Sequence, residues 1–155
     1  MTSKNEWTLR RAQGEDDMTA CMAIRHQVFV REQCVEEALE RDGRDGECTH
    51  YLAVGGQGPV GTGRVLPLED RYKIQRVAVL PQVRGTGLGA ALMRFMMADL
   101  AEQAESLGRM FFLSSQVHAM PFYEKLGFEA CSDVYMDAGI PHRDMKAPVA
   151  LASGV

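Results

Sequence analysis

Apolar positions recur with two different periods along this chain, and the places where the period changes divide it into elements. "EWTLRRA" alternates as a strand does. In "GEDDMTACMAIRHQVFVREQ" the acidic residues lead, and Met18, Cys21, Met22, Val28 and Phe29 follow at helical spacing, which predicts a helix over 14–33. "EEALERDGRDGE" is charged and broken by glycine, so it reads as a short helix and a loop whose charges form a solvated face. "CTHYLAV" and "PVGTGRVLP" flank "GGQG" and predict a hairpin, and "YKIQRVAVL" is a third strand-length run. Between 87 and 107, Leu88, Leu92, Phe95, Met96 and Leu100 lie on one helical stripe, with Gly108 as its stop. "RMFFLSS" predicts a buried strand, "HAMPFYEKLGF" a short helix closed by Gly127, "EACSDVYMDAG" a strand-like stretch, and "IPHRDMKAPVALASGV" one more strand that then frays.

The order is strand, helices, antiparallel strands, helix, strand, helix, strand. It predicts an α/β fold with a mixed sheet, helices on both faces and a parallel crossover at its centre. Composition narrows this further: 155 residues at 46% hydrophobic content suit one domain over 1–155. A net charge of −4 argues against a nucleic-acid grip, which needs a basic face, so any anion site must be local. Cys21, Cys34, Cys48 and Cys131 show no metal-ligand spacing, so no metal site is expected and the thiols fit a reduced, cytoplasmic setting. "MTSKNEWTLRR" lacks the pattern of a secretion leader, and the longest apolar stretch is interrupted by Arg94, so neither export nor membrane insertion is expected.

The candidate chemistry begins at "LPQVRGTGLGAALMRF", where three glycines stand at the junction of strand and helix. A turn alone needs fewer. The first amides of a helix lack intrahelical acceptors and carry partial positive charge, so a loop without side chains there lets a phosphate sit on the backbone. A P-loop would place Lys and Ser or Thr after the glycines, where Leu88 and Gly89 stand; a dinucleotide fold would place its glycines after the first strand and an acid at the end of the next, and "RMFFLSS" has none.

"VAVLPQVRGTGLGAALM" resembles the signature Q/R-x-x-G-x-G/A of the GNAT superfamily of acyl-CoA-dependent N-acyltransferases, with Gln82, Gly85 and Gly87 in register and Arg84 as the basic residue. "QVHAMPFYEKLGF" resembles that superfamily's second block through Ala119, Phe122, Tyr123, Gly127 and Phe128, with Gln116 where Asn is usual. "RHQVFVREQ", "ERDGRDGECTHYLA" and "GIPHRDM" look like the ElaA/YjcF-like branch, and the likeness covers roughly residues 20–146.

The resemblance implies a sheet splayed between "KIQRVAVL" and "RMFFLSS", with acetyl-CoA as acyl donor. In it Val77 and Val79 would offer backbone to the pantetheine arm, the amides of Val83, Arg84, Gly85, Thr86, Gly87, Leu88 and Gly89 would hold the pyrophosphate beside Gln82, and Gln116 would face the donor. An amine, of a small molecule or a peptide, would attack the thioester directly, with Tyr123 protonating the departing thiolate. The superfamily commonly carries a glutamate base on the strand before the loop, but this strand has Lys73 and Gln75. Glu32 becomes the candidate base, and Arg25, Glu32, His50 and His142 the candidate acceptor pocket. Each has a plainer role as a paired core-edge cation, a surface charge, a hydrogen-bonded strand residue or a turn residue. An acyl-CoA sensor without turnover and a relative of the acyl-homoserine-lactone synthases stay open beside the enzyme, as does a homodimer.

Overall fold

The structure, a computed structural model, describes residues 6–103 and 108–149. Strand β1 (Trp7–Arg11) leads into helix α1 (Gly14–Arg25), which widens into a π-helical segment, His26–Glu32. The wide turn is carried by the Gln33 amide donating five residues back to the Val28 carbonyl at 3.0 Å, and it keeps Cys21, Ile24 and Val28 on one buried stripe. After α2 (Glu37–Glu40) and one 3₁₀ turn, β2 (Thr49–Gly55) and β3 (Gly58–Pro67) form the expected hairpin, and β4 (Arg71–Val79) adds to it antiparallel. Helix α3 (Leu88–Ala101) crosses to β5 (Met110–Gln116), followed by α4 (Met120–Glu124), β6 (Glu129–Ala130), β7 (Tyr135–Asp137) and β8 (Ile140–Pro148).

One sheet holds all of these strands in the order β1-β2-β3-β4-β5-β8-β6, with β7 hairpinned onto β8. On one face α3 and α4 cover Tyr51, Val65, Tyr72, Ile74, Phe111, Leu113 and Met145. The opposite face carries α1 and the π-helical segment over Leu52, Ala78 and Leu80. Contact on the α3 face is close, since a Cβ at Gly63 would lie 2.6 Å from the Met96 sulfur.

Three details depart from the periodicity. Helix α3 ends at Ala101, short of the expected 107, and residues 104–107 lie outside those described. "EACSDVYMDAG" forms two short strands, β6 and β7, and not one. The charges of "ERDGRDGE" are not all solvated: Glu40 is 3% exposed, Asp45 is half-buried, and the Asp42 side chain is partly covered although its residue is exposed. Their partners explain this, because Arg25 and Arg64, both wholly buried, come from α1 and β3 to meet them. The expected fraying at 150–155 also lies outside the described residues.

Candidate active site

β4 and β5 run parallel and pair at only three positions, Arg71 with Met110, Tyr72 with Phe111 and Lys73 with Phe112. Beyond Lys73 the strands part, so Ile74 to Val79 of β4 and Leu113 to Gln116 of β5 face each other across a gap. β4 is further bent by a bulge against β3, where Arg76 adopts φ +53 and the register slips between Thr62 and Arg64. The slip returns Val77 and Val79 to the α3 face, where each packs on the core.

At the end of β4 the loop to α3 leaves its backbone uncovered. Gly85 and Gly87 sit at φ +79 and +91, and a Cβ at either would meet nothing within 4 Å. These two glycines therefore answer a backbone demand and leave open space before the amides. Gly87 caps α3, whose first amides have no intrahelical acceptor, and the Thr86 hydroxyl ties the loop to the Val83 carbonyl at 2.5 Å. Gly89 is different: it faces the Phe122 ring of α4, which a Cβ there would meet at 3.6 Å in ordinary contact. A phosphate-bearing donor fits this loop, and an arm carrying amides fits the unpaired edge of β4.

Of the pocket candidates, Arg25 and His50 meet at Asp45, while Glu32 and His142 lie elsewhere. Glu32, at the end of the π-helical segment, grips Arg84 with both oxygens at 2.6 and 2.9 Å, and the guanidinium holds its carboxyl below the usual range. Arg84 also donates to the Val79 carbonyl at 3.1 Å, so this pair fastens the loop to the strand it leaves. Arg25 spends its guanidinium inside the protein, at 2.9 Å from Glu40 and 2.7 Å from Asp45. His50 is buried beside Asp45, with Nε2 at 2.9 Å from that residue's carbonyl and Nδ1 without a partner among the described residues. His142 lies on the other side of the gap, stacked on Tyr135 and bonded through Nδ1 to the Ile140 carbonyl at 2.7 Å.

Tyr123 packs edge-on against Phe122 and Phe128, and burial raises its phenol above the ordinary value. Gln116 is the last residue of β5, opposite His142.

Strand register reveals what single-strand periodicity does not. On the face away from α3, His50 lies opposite Arg64 and Arg64 opposite Gln75; across the gap Ser114 lies opposite Asp144. Gln75 and Ser114 each stand two residues past the last pair, so they form the two lips of the splay. On the β4 lip, Arg64 binds Gln75 at 2.7 Å, Asp42 at 2.8 Å and Asp45 at 2.9 Å, while Arg76 binds Glu40 at 2.9 Å. Arg64 keeps the Asp42 carboxyl well below its usual range. For Asp45, burial pushes upward, and the bonds from Arg25 and Arg64 outweigh it. On the β5 lip, the Tyr135 hydroxyl donates to Asp144 at 2.5 Å and also meets the Ser114 hydroxyl.

Residues 11–148 match the acetyltransferase (GNAT) domain family. The chain belongs to the GNAT acetyltransferases. Within that family it is 34% identical over 135 residues to the uncharacterized N-acetyltransferase YjcF of Bacillus subtilis, covering 86% of this chain and 94% of the relative. The crystal structure of Escherichia coli ElaA superposes with a TM-score of 0.80 at 27% identity, covering 92% and 98% of the two chains. An aminoglycoside 6'-N-acetyltransferase complexed with coenzyme A shares the fold at a TM-score of 0.71 and 14% identity, over 92% of this chain and 97% of that one. These likenesses bear out the GNAT fold and the ElaA/YjcF-like branch. Among the described residues of this GNAT chain no helix is long and apolar enough to cross a membrane, and no cluster of His, Cys, Asp or Glu could hold a metal.

Proposed function

We propose that this protein transfers an acetyl group from acetyl-CoA to a primary amine of a small molecule or peptide by direct attack. The observation that carries this reading is the splay of β4 from β5, ending at a glycine-lined helix N-terminus. The backbone at Val77 and Val79 offers hydrogen bonds to the pantetheine arm, the amides of 83–89 hold the pyrophosphate beside Gln82, and Gln116 faces the arm from β5. Binding both reactants in one gap turns a bimolecular encounter into an oriented attack. Tyr123 donates a proton to the departing thiolate, since a phenol raised by burial stays protonated at neutral pH. Glu32 is assigned to the loop and not to proton transfer, because its carboxylate is already engaged by Arg84. The four cysteines are all free thiols, which supports a reducing, cytoplasmic setting.

A second reading, a sensor that binds acyl-CoA without turnover, is favoured by one observation: β4 presents Lys73 and Gln75 where a carboxylate base would stand. Thiol release from acetyl-CoA, measured against a panel of simple amines, polyamines, amino acids and peptides, decides between them. Turnover with any amine supports the transferase. Tight CoA binding in calorimetry with no turnover across the panel supports the sensor.

A further inference from the structure

Each carboxylate near the β4 lip among the described residues, Glu40, Asp42 and Asp45, already carries a guanidinium. The β5 lip is different. Asp144 makes no ion pair among the described residues, although His142 and Lys146 flank it on the same face of β8 and Arg71 approaches from β4. Its backbone is fixed on both sides, with the amide bonded to the Ser132 hydroxyl at 2.9 Å and the carbonyl accepting from Cys131 at 2.8 Å. Its carboxylate accepts the Tyr135 hydroxyl at 2.5 Å, and the phenol oxygen in turn meets Ser114, an exposed residue at the mouth of the gap. A fastening between β7 and β8 needs no such chain, since those strands already pair through Tyr135–His142, Met136–Pro141 and Asp137–Ile140.

We propose that Ser114, Tyr135 and Asp144 form a proton relay that receives the proton released by the acceptor amine, supplying from β5, β7 and β8 the carboxylate base that β4 lacks. This rests on the acetyl-transfer reading above. As the amine lone pair bonds to the thioester carbon, the nitrogen becomes cationic and gives one proton to the Ser114 oxygen. The serine proton passes to the Tyr135 oxygen, and the tyrosine proton passes to Asp144, which ends as the neutral acid. The carbon–sulfur bond then breaks, and the thiolate takes its proton from Tyr123. Asp144 returns its proton to water when the products leave and the Tyr123 phenolate takes one back from water, so the cycle closes without a further reagent. The polar row defines the acceptor's side of the sheet: the donor loop belongs to the α3 face, and the relay opens on the opposite one.

The test uses acetyl-CoA and the panel amine that the wild-type protein accepts with the highest kcat/KM. Asp144→Asn keeps an oxygen for the Tyr135 hydroxyl but cannot take its proton at neutral pH, and Tyr135→Phe keeps the ring stacked on His142 while breaking the chain. Both are expected to lower kcat on the order of 10²-fold while amine KM and CoA affinity stay within about threefold. Thermal melts check folding, and Tyr135→Phe decides the matter if Asp144→Asn does not fold. A folded variant with wild-type kcat overturns the relay, and so does a loss confined to amine KM, which would make Asp144 a binding group only. A wild-type protein that turns over no amine overturns the acetyl-transfer reading and the relay with it.

Discussion

Glu40→Gln isolates the charge of one buried carboxylate with almost no change in shape. Glu40 Oε2 accepts from the Nε atoms of Arg25 and Arg76, both at 2.9 Å, and it is 3% exposed between a wholly buried Arg25 and a partly buried Arg76. Each charge-assisted bond contributes about 1.5–3 kcal/mol, and removing one partner of a buried pair costs about 3–5 kcal/mol because a charge stays behind. Asp45 remains on Arg25 at 2.7 Å, and the glutamine oxygen retains part of both bonds, which places the loss near the lower end. We expect about 3 kcal/mol, or a melting temperature lower by about 6–12 °C for a chain of this size. Urea denaturation followed by circular dichroism measures it. The double variant Arg25→Met, Glu40→Met removes the two most deeply buried charges together, leaving Arg76 with Asp42 at 3.5 Å and Asp45 with Arg64 at 2.9 Å, and should recover part of the loss. A Glu40→Gln variant within about 0.5 kcal/mol of wild type would refute the buried network and return these charges to solvent.

Gly87→Asn tolerates the left-handed backbone better than most residues, whereas Gly87→Asp adds a negative charge where phosphate is expected; calorimetry should show CoA binding weakened in both and most in the Asp variant. Tyr123→Phe should melt like wild type and bind CoA normally, while kcat falls on the order of 10²-fold in steady-state assays; unchanged kcat would leave Tyr123 a packing residue. The Asp42 and Asp45 carboxyls titrate below their ordinary values in the folded protein, so the stability they contribute is complete above about pH 4 and is lost as pH falls further. The urea midpoint should accordingly hold from pH 6 to about pH 4 and drop between about pH 4 and pH 2, and drop less in Asp42→Asn.

The parts legible in the sequence are those that depend on near neighbours. The glycine loop, its helix and the block around Tyr123 are short-range patterns, and the structure places them at the end of β4 and on α4 as the resemblance implied. The polar row is different, because it is made by strands brought into register from across the chain: Arg64 reaches 22 residues back to Asp42, and Ser114 meets Tyr135 21 residues on. The charged run at 40–47 reads as a solvated face because nothing local announces Arg25 and Arg64 as partners of its carboxylates. Glu32, His50 and His142 share segments of one resemblance, and the structure sets Glu32 on Arg84, His50 beside Asp45 and His142 on Tyr135, partners that no local pattern announces. A signal for Asp144 did exist, since alternation along "IPHRDMK" puts His142, Asp144 and Lys146 on one face of β8.

The parting of β4 from β5 leaves two bare strand edges inside the molecule and not at its rim. The strands β1–β4 and β5–β8 are thus joined through the sheet by three residue pairs, with the helices bridging the rest. Amides whose only sheet partner lies on the far side exchange with solvent through smaller openings than those in a closed ladder. A donor arm lying in the seam acts as a temporary ninth strand, so CoA should slow hydrogen exchange along 74–79 and 113–116 more than in β1 or β2, and bind the two halves of the sheet into one cooperative unit only while it is there.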